Sequence, residues 1–322
     1  VAMLNQARQA GVSAETVLEN SDISQSLLDL PRARVPMSSY IALLHRVMLV
    51  LQDESCGLLP TPVKLGSFVF LCQTFTSCES LRQIFSRFTQ FTRITADSIE
   101  AHLAVDAGKA IYTIRQAAQS GPVNQNFIII LLMIAHRTAS WATRQYIPLD
   151  SVQVVGNRNT RADDYDYLFS RKVVYEQVEN SLTFSADFLD LPVDHNIESL
   201  KDFLRAPAAH LMAGYGIQET MVRKVKSILL QSSVENFPPF DDVAKQFNMS
   251  SATLRRRLHD ENISFQEVKD GIRRDLAIST LVQHKSIEDA ASAAGFSEVT
   301  SFFRAFKRWT GTTPKAYVPE IR

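Results

Sequence analysis

The chain has 322 residues, 45% of them hydrophobic and 21% charged, which is ordinary for a soluble globular protein and leaves room for two domains. Lys+Arg and Asp+Glu are both 34, so the net charge is zero and bulk electrostatics single out no polyanionic partner. The longest apolar run, Phe127 to Ala135, falls well short of the ~20 residues that a membrane-spanning helix needs.

The first sixty residues read as helices. Met3 to Ala10 is followed by Gly11, Ser13 to Thr16 opens a short helix, and Ser38 or Ser39 is expected to cap an amphipathic segment from Tyr40 to Leu51. No basic region followed by an apolar stretch opens the chain, so no secretory leader is expected. Leu65 to Phe75 is strongly apolar, and Leu81, Ile84, Phe85 and Phe88 recur at helical spacing. Cys56, Cys72 and Cys78 are odd in number and lie in apolar or small-residue sequence; they read as reduced core thiols, which suits a cytoplasmic location.

The period then changes from helical to alternating. Ile99, Ala101, Leu103 and Val105 are expected on one face of a strand, with Glu100 and His102 on the other. Asp106-Ala107-Gly108 reads as a hairpin turn into a second strand, Lys109 to Arg115. Val123 to Thr143 is a long helix, apolar all round at its centre and so expected to be buried. Ser151 to Val155 and Leu182 to Phe184 supply two more strands; Glu198 to Met212 and Gln218 to Leu230 are helical. Together these make an α+β domain, mostly helical with a small antiparallel sheet, over residues 1–235.

Asn236-Phe237-Pro238-Pro239-Phe240 breaks the chain, and residues 236–322 form an all-α domain. Helix Asp241 to Gln246 leads through Phe247-Asn248-Met249 into a helix capped by Ser250. Ser264 with Glu267 is a capping box that opens a connecting helix to about Gln283, and Ser286 with Asp289 is a second box that starts a helix ending at Ala294. After Gly295, Ser297 is expected to cap a last helix that stops at Gly311 and Pro314. Phe302, Phe303 and Phe306 form its apolar stripe, and Arg304, Lys307 and Arg308 another side.

The same supersecondary pattern occurs twice here: a leading helix with small residues, a tight turn and an exposed second helix. That is the logic of two helix-turn-helix units. The connecting helix, Phe265 to Gln283, gives roughly 28 Å at ~1.5 Å per residue, near the ~34 Å of one DNA turn. Residues 241–322 carry 13 Lys/Arg against 11 Asp/Glu, a net charge of only +2, so DNA contact must rest on few, well-placed cations.

Arg273-Arg274-Asp275-Leu276-Ala277, Ile287-Glu288-Asp289-Ala290-Ala291, Gly295-Phe296-Ser297 and Phe302 to Trp309, with Gly311 and Pro314, resemble the DNA-binding domain of the AraC/XylS family of bacterial transcription regulators. Ala294 departs from the Leu frequent there. More loosely, Leu65 to Phe68, Tyr167-Leu168-Phe169, Leu182-Thr183-Phe184 and Leu191-Pro192 are similar to the non-cupin, arabinose-binding-like sensing domain of ornithine- and arginine-use regulators.

The resemblance implies that Ser251, Arg255, Arg256 and His259 face DNA from the first unit, and Thr300, Ser301, Arg304 and Lys307 from the second. Leu254, Leu258, Phe302 and Phe306 are then core, and Arg257 is either solvated or ion-paired. Double-stranded DNA with repeated half-sites, a small-molecule effector, a homodimer and RNA polymerase are the implied partners. A ligand-responsive activator is the leading reading; a ligand-independent DNA-binding or architectural protein, or a repressor, is the alternative.

His136-Arg137 is the kind of polar pair that could meet an acidic ligand headgroup, but it reads as a core histidine and a surface arginine, and no ligand residues can be assigned. Enzyme signatures are missing: Gly214-Tyr215-Gly216 lacks the third glycine of a dinucleotide loop, and Asp163, Asp164 and Asp166 lack the glycine and terminal glutamate of a calcium loop. No catalytic residue, cofactor or metal site is expected.

Overall fold

A computed structural model of the chain describes residues 2–28, 30, 33–118, 120–158, 162–169, 172–194, 197–213, 221–261 and 263–318. In chain order the helices and strands are α1 (Ala2–Gln9), α2 (Ala14–Leu18), α3 (Met37–Leu51), α4 (Ser67–Thr74), α5 (Leu81–Thr95), β1 (Ile99–Asp106), β2 (Lys109–Gln116) and α6 (Gln125–Ala142). There follow β3 (Ser151–Gln153), α7 (Ala162–Phe169), β4 (Val173–Val174), β5 (Asn180–Ser185), α8 (Ile197–Arg205) and α9 (Pro207–Ala213). The last set is α10 (Met221–Leu229), α11 (Phe240–Gln246), α12 (Ser251–Asp260), α13 (Phe265–Val282), α14 (Ile287–Ala293) and α15 (Val299–Thr310). The chain divides into two compact units, residues 2–13 with 44–217, and residues 14–43 with 218–322.

The sheet-bearing unit is organised on α6. Asn124 caps it by accepting a hydrogen bond from the Asn126 amide at 3.0 Å, and Phe127, Ile128, Ile129, Leu132, Met133 and Ala135 are buried. Across the sheet the order is β1-β2-β5-β3-β4. Tyr112 of β2 stands opposite Leu182 of β5, which in turn faces Val152 of β3, and all three are fully buried. Phe85 of α5 closes this face, with ring centroids 4.8 Å from Tyr112 and 5.5 Å from Phe184.

The β1–β2 hairpin turns through Ala107 and Gly108 at φ of 46° and 76°, the two positive values that a two-residue hairpin loop requires. Val105 is 50% exposed, because the strand runs past the core as it nears this turn; Ile99 is buried as expected, while Ala101 and Leu103 are half-buried. The sheet is mixed and not purely antiparallel: β4 pairs parallel to β3, with Val152 opposite Val173. Two residues are too short a run to show alternation, so sequence periodicity could not reveal β4.

Two further boundaries differ from the sequence reading. The segment Glu198 to Met212 is two helices, because Pro207 has no amide to continue α8 and instead starts α9. Ser38 and Ser39 lie inside the first turn of α3 and do not cap it; that helix begins at Met37, directly after Pro36. The expected start of a helix at Gln218, the Gly214-Tyr215-Gly216 segment and the side chains of Asp163 and Asp164 lie outside the described residues. Cys56, Cys72 and Cys78 are free and buried; burial pushes the Cys56 thiol up to about 12 and the Cys72 thiol higher, so neither is nucleophilic.

The all-helical unit has two apolar clusters that meet the same helix. Val268 and Ile272, in the first half of α13, pack with Val225 and Leu229 of α10, Val243 and Ala244 of α11, and Leu254 and Leu258 of α12. Ala277, Ile278, Leu281 and Val282, in the second half, pack with Ala290, Ala291 and Ala294 around α14, with Phe302 and Phe306 of α15, and with Tyr317. Eighteen residues of α13, about 27 Å at ~1.5 Å per residue, thus serve both cores. Glu261 fixes the start of α10, accepting from the amides of Met221 at 2.6 Å and Val222 at 3.0 Å.

Leu27 also belongs to the second cluster, where it is buried, and Leu30, Ala33 and Val35 pack against the same cluster. The Ser26 hydroxyl donates to the Ala316 carbonyl at 2.9 Å, and the Arg34 amide donates to the Tyr317 hydroxyl at 3.0 Å. A stretch that precedes α3 is therefore part of the fold around α15.

Candidate nucleic-acid interface

Each helix-turn-helix unit is built by caps and small residues. In the first, buried Val243 and Ala244 give α12 a close seat on α11, and Asn248 takes a left-handed φ of 53° in the turn between them. The Ser250 hydroxyl then accepts from the Thr253 amide at 3.1 Å and starts α12. Leu254 and Leu258 are buried, which leaves Arg255, Arg256, Arg257 and His259 exposed. Ser251 is half-buried, its hydroxyl donating to the Asp241 carboxylate. The Arg255 guanidinium lies 5.3 Å from the Phe240 ring centroid, which stiffens it without neutralising it.

In the second unit Ser286 and Asp289 form the expected reciprocal capping box of α14. Gly295 holds φ at 75° in the turn, a conformation that suits glycine, and a Cβ there would stand 3.0 Å from Val234 Cγ1. Ser297 does not cap α15. Phe296 turns into the second cluster, 5.8 Å ring to ring from both Phe302 and Trp309, and the extended residue that follows two places later, Glu298, is the N-cap. Anchoring Phe296 and packing Val299 in the same cluster shifts the helix start one residue on. Gly311, at φ of 78°, ends α15 with its amide on the Lys307 carbonyl at 2.8 Å.

Phe302 and Phe306 are fully buried, as expected of the core side. Thr300, Ser301, Arg304 and Lys307 are all exposed along α15. Arg308 ion-pairs with Asp270 of α13 at 3.4 Å, whereas among the described residues Arg256, Arg257, Arg304 and Lys307 have no ion-pair partner. Uncommitted cations beside hydroxyls on a rigid, buried-backed helix can reach phosphate oxygens and base edges.

The His136-Arg137 pair differs from its sequence reading at the arginine. Arg137 is 2% exposed and donates to the Met212 carbonyl at 2.7 Å, the Leu168 carbonyl at 2.6 Å and the Leu211 carbonyl. These acceptors lie in the last turns of α7 and α9, where helix C-terminal carbonyls favour a cation. His136 is a core histidine as expected: its Nε2 bonds the Ile147 carbonyl at 2.8 Å, and burial, aided by the Arg137 charge, pulls its pKa down to about 4. No group of three His, Cys, Asp or Glu able to hold a metal occurs among the described residues, nor does a helix long and apolar enough to cross a membrane.

Two helix-turn-helix units built on one shared helix, in a chain that also carries a separate α+β unit, define a DNA-binding transcription regulator. The sequence profile described as the arabinose-binding domain of AraC transcription regulator, N-term, matches residues 11–193, and that of a helix-turn-helix domain matches residues 243–319. The first alone covers more than half of the chain, and the chain belongs to the AraC family of transcription regulators. It is 23% identical over 323 residues to the ornithine utilization regulator of Pseudomonas aeruginosa, covering 98% of this chain and 94% of that one. It is 24% identical over 318 residues to an HTH-type transcriptional regulator of Mycobacterium tuberculosis, covering 97% and 92%. Among solved structures it is similar to transcriptional regulator CdpR of Pseudomonas aeruginosa, at 16% identity and a TM-score of 0.33 over 98% of this chain and 96% of that one.

Proposed function

We propose that this regulator is a small-molecule-responsive activator that lays α12 and α15 into successive major grooves on one face of operator DNA. Ser251, Arg255, Arg256 and His259 are the reading or gripping residues of the first unit; Thr300, Ser301, Arg304 and Lys307 are those of the second. In this reading residues 1–235 take the signal and residues 236–322 read DNA, in the cytoplasm, as a homodimer on repeated half-sites and in reach of RNA polymerase. The observation that carries it is the pair of core-backed helices on the two halves of α13, with Arg304 and Lys307 exposed and, among the described residues, free of ion pairs.

Effector identity is the open chemical choice, and the ornithine utilization relative makes basic amino acids the first compounds to test. A thermal-shift screen with amino acids, small organic acids and fatty acids identifies the class that stabilises the chain. Gel shifts with and without that compound then give the direction of control. Stabilisation by none of the three classes, with unchanged DNA affinity, favours the ligand-independent binder instead.

A further inference from the structure

Arg273 occupies the middle of α13, between the residues that belong to the first core and those that belong to the second. Its guanidinium carbon lies 5.8 Å from the Phe237 ring centroid and 5.9 Å from the Phe296 ring centroid. Phe237 comes from the segment ahead of α11 and packs on the first cluster; Phe296 comes from the α14–α15 turn and packs on the second. One cation is thus shared by a ring packed on each of the two cores. It makes no ion pair among the described residues, although its neighbour Arg274 reaches Asp275 at 2.9 Å, and its buried Nε has no hydrogen-bond partner. An arginine that leaves charge pairing to its neighbour and places its cation within ~6 Å of two rings is acting as a spacer.

The two cores are separate clusters that share one 18-residue helix, and a helix of that length can bend or twist; across the joint, Arg308 of α15 also pairs with Asp270 in the first half of α13, and Val234 lies beside the Gly295 turn. The Phe237–Arg273–Phe296 contact is a cross-brace over that joint. We propose that Arg273 is a positioning residue that fixes the angle and separation of α12 and α15, and thereby the half-site spacing that the protein accepts. The proposal rests on the two-groove reading above.

The test starts from a random-sequence duplex pool selected in parallel with the full-length wild-type chain and with Arg273→Met, which keeps side-chain length and removes the planar cation. Wild type is expected to enrich two motifs at one fixed separation; Arg273→Met is expected to enrich the same two motifs with separations spread over several base pairs. On a duplex of the wild-type spacing, the variant should bind about 10-fold more weakly, yet within about twofold of wild type on a duplex with one motif. Phe237→Leu and Phe296→Leu, each removing one ring, should broaden spacing in the same way, and Arg273→Lys should fall between. The same narrow spacing in all four variants overturns the brace. So does an equal loss on one-motif and two-motif duplexes, because that is the mark of simple unfolding. A wild-type chain that enriches only single motifs overturns the two-groove reading itself, a result separable from either of these.

Discussion

Leu27→Ala tests whether the fold around α15 depends on a residue near the other end of the chain. Leu27 is 4% exposed and shares a cluster with Ile278, Leu281, Phe302 and Phe306, while Ser26 and Arg34 hold its segment to Ala316 and Tyr317 by hydrogen bonds of 2.9 and 3.0 Å. The substitution removes three buried carbons, roughly 2.4 kcal/mol at ~0.8 kcal/mol each. A residual cavity raises this toward the ~2–5 kcal/mol of buried Leu→Ala changes, and the irregular segment can relax to limit the rise, so about 2.5 kcal/mol is expected. In a two-unit chain a single melting temperature mixes transitions, so the loss should be read locally. Amide hydrogen exchange of peptides covering residues 299–317 should quicken by roughly 60-fold, at tenfold per ~1.4 kcal/mol. Gln25→Ala, at an exposed neighbour, should leave it unchanged. Exchange within twofold of wild type in Leu27→Ala would show that Leu27 does not support this fold.

Arg304→Ala should cost about 1–3 kcal/mol of operator affinity if it reads a guanine and should relax preference at one position, whereas Lys307→Ala should weaken all sequences alike and lower the salt slope by about one; an Arg304→Ala protein that shifts its operator as wild type does refutes the assignment. Gly295→Ala forces a Cβ into a left-handed turn and to 3.0 Å from Val234, so chemical denaturation should show a loss of at least ~1 kcal/mol, and an unchanged midpoint would show that the turn tolerates it. His136 is held down to about 4 against 6.5 when free, so between those values the unfolded chain binds a proton that the folded one does not. Stability should therefore be intact above about pH 6.5 and fall as pH drops toward 4, by at most ~1.4 kcal/mol per pH unit from this residue. Urea titrations at pH 7.5 and 5.0 should show a smaller difference in His136→Gln, and an equal difference would place the pH dependence elsewhere.

What the sequence made legible was local. Ser250, Ser264 with Glu267, Ser286 with Asp289, and Gly311 each do their work within three or four residues, and the helices they bound fall where the spacing puts them. The candidate α15 residues were legible for the same reason, since burying Phe302 and Phe306 dictates what remains outside. Distance along the chain was what hid the rest. Arg137 looks like a surface residue near a helix end because its acceptors are 31, 74 and 75 positions away. Leu27 lies among short helical segments whose pattern groups them with their sequence neighbours, and its partners are some 250 residues on. Ser297 failed as a cap through competition between levels: the preference of serine for that position is worth about 1 kcal/mol, less than seating Phe296 among Phe302 and Trp309.

The near-neutral DNA-reading region is reconciled with a polyanionic partner by where its charges are spent. Glu261, Glu267 and Asp289 accept from helix-start amides, Asp241 accepts from Ser251, and Asp242, Asp270 and Asp275 pair with Lys245, Arg308 and the Lys226–Arg274 pair. Seven of the eleven acidic residues beyond position 240 are thus tied to caps or pairs that build the two units, while Arg256, Arg304 and Lys307 have no ion-pair partner among the described residues. Net charge counts both sets equally and so understates the local field at α12 and α15. On the proposed reading the arrangement exchanges bulk attraction for position: a few cations held by buried aromatics and caps would gain affinity only where phosphates and base edges fall at matching spacing, so sequence and geometry together would decide where the protein stays.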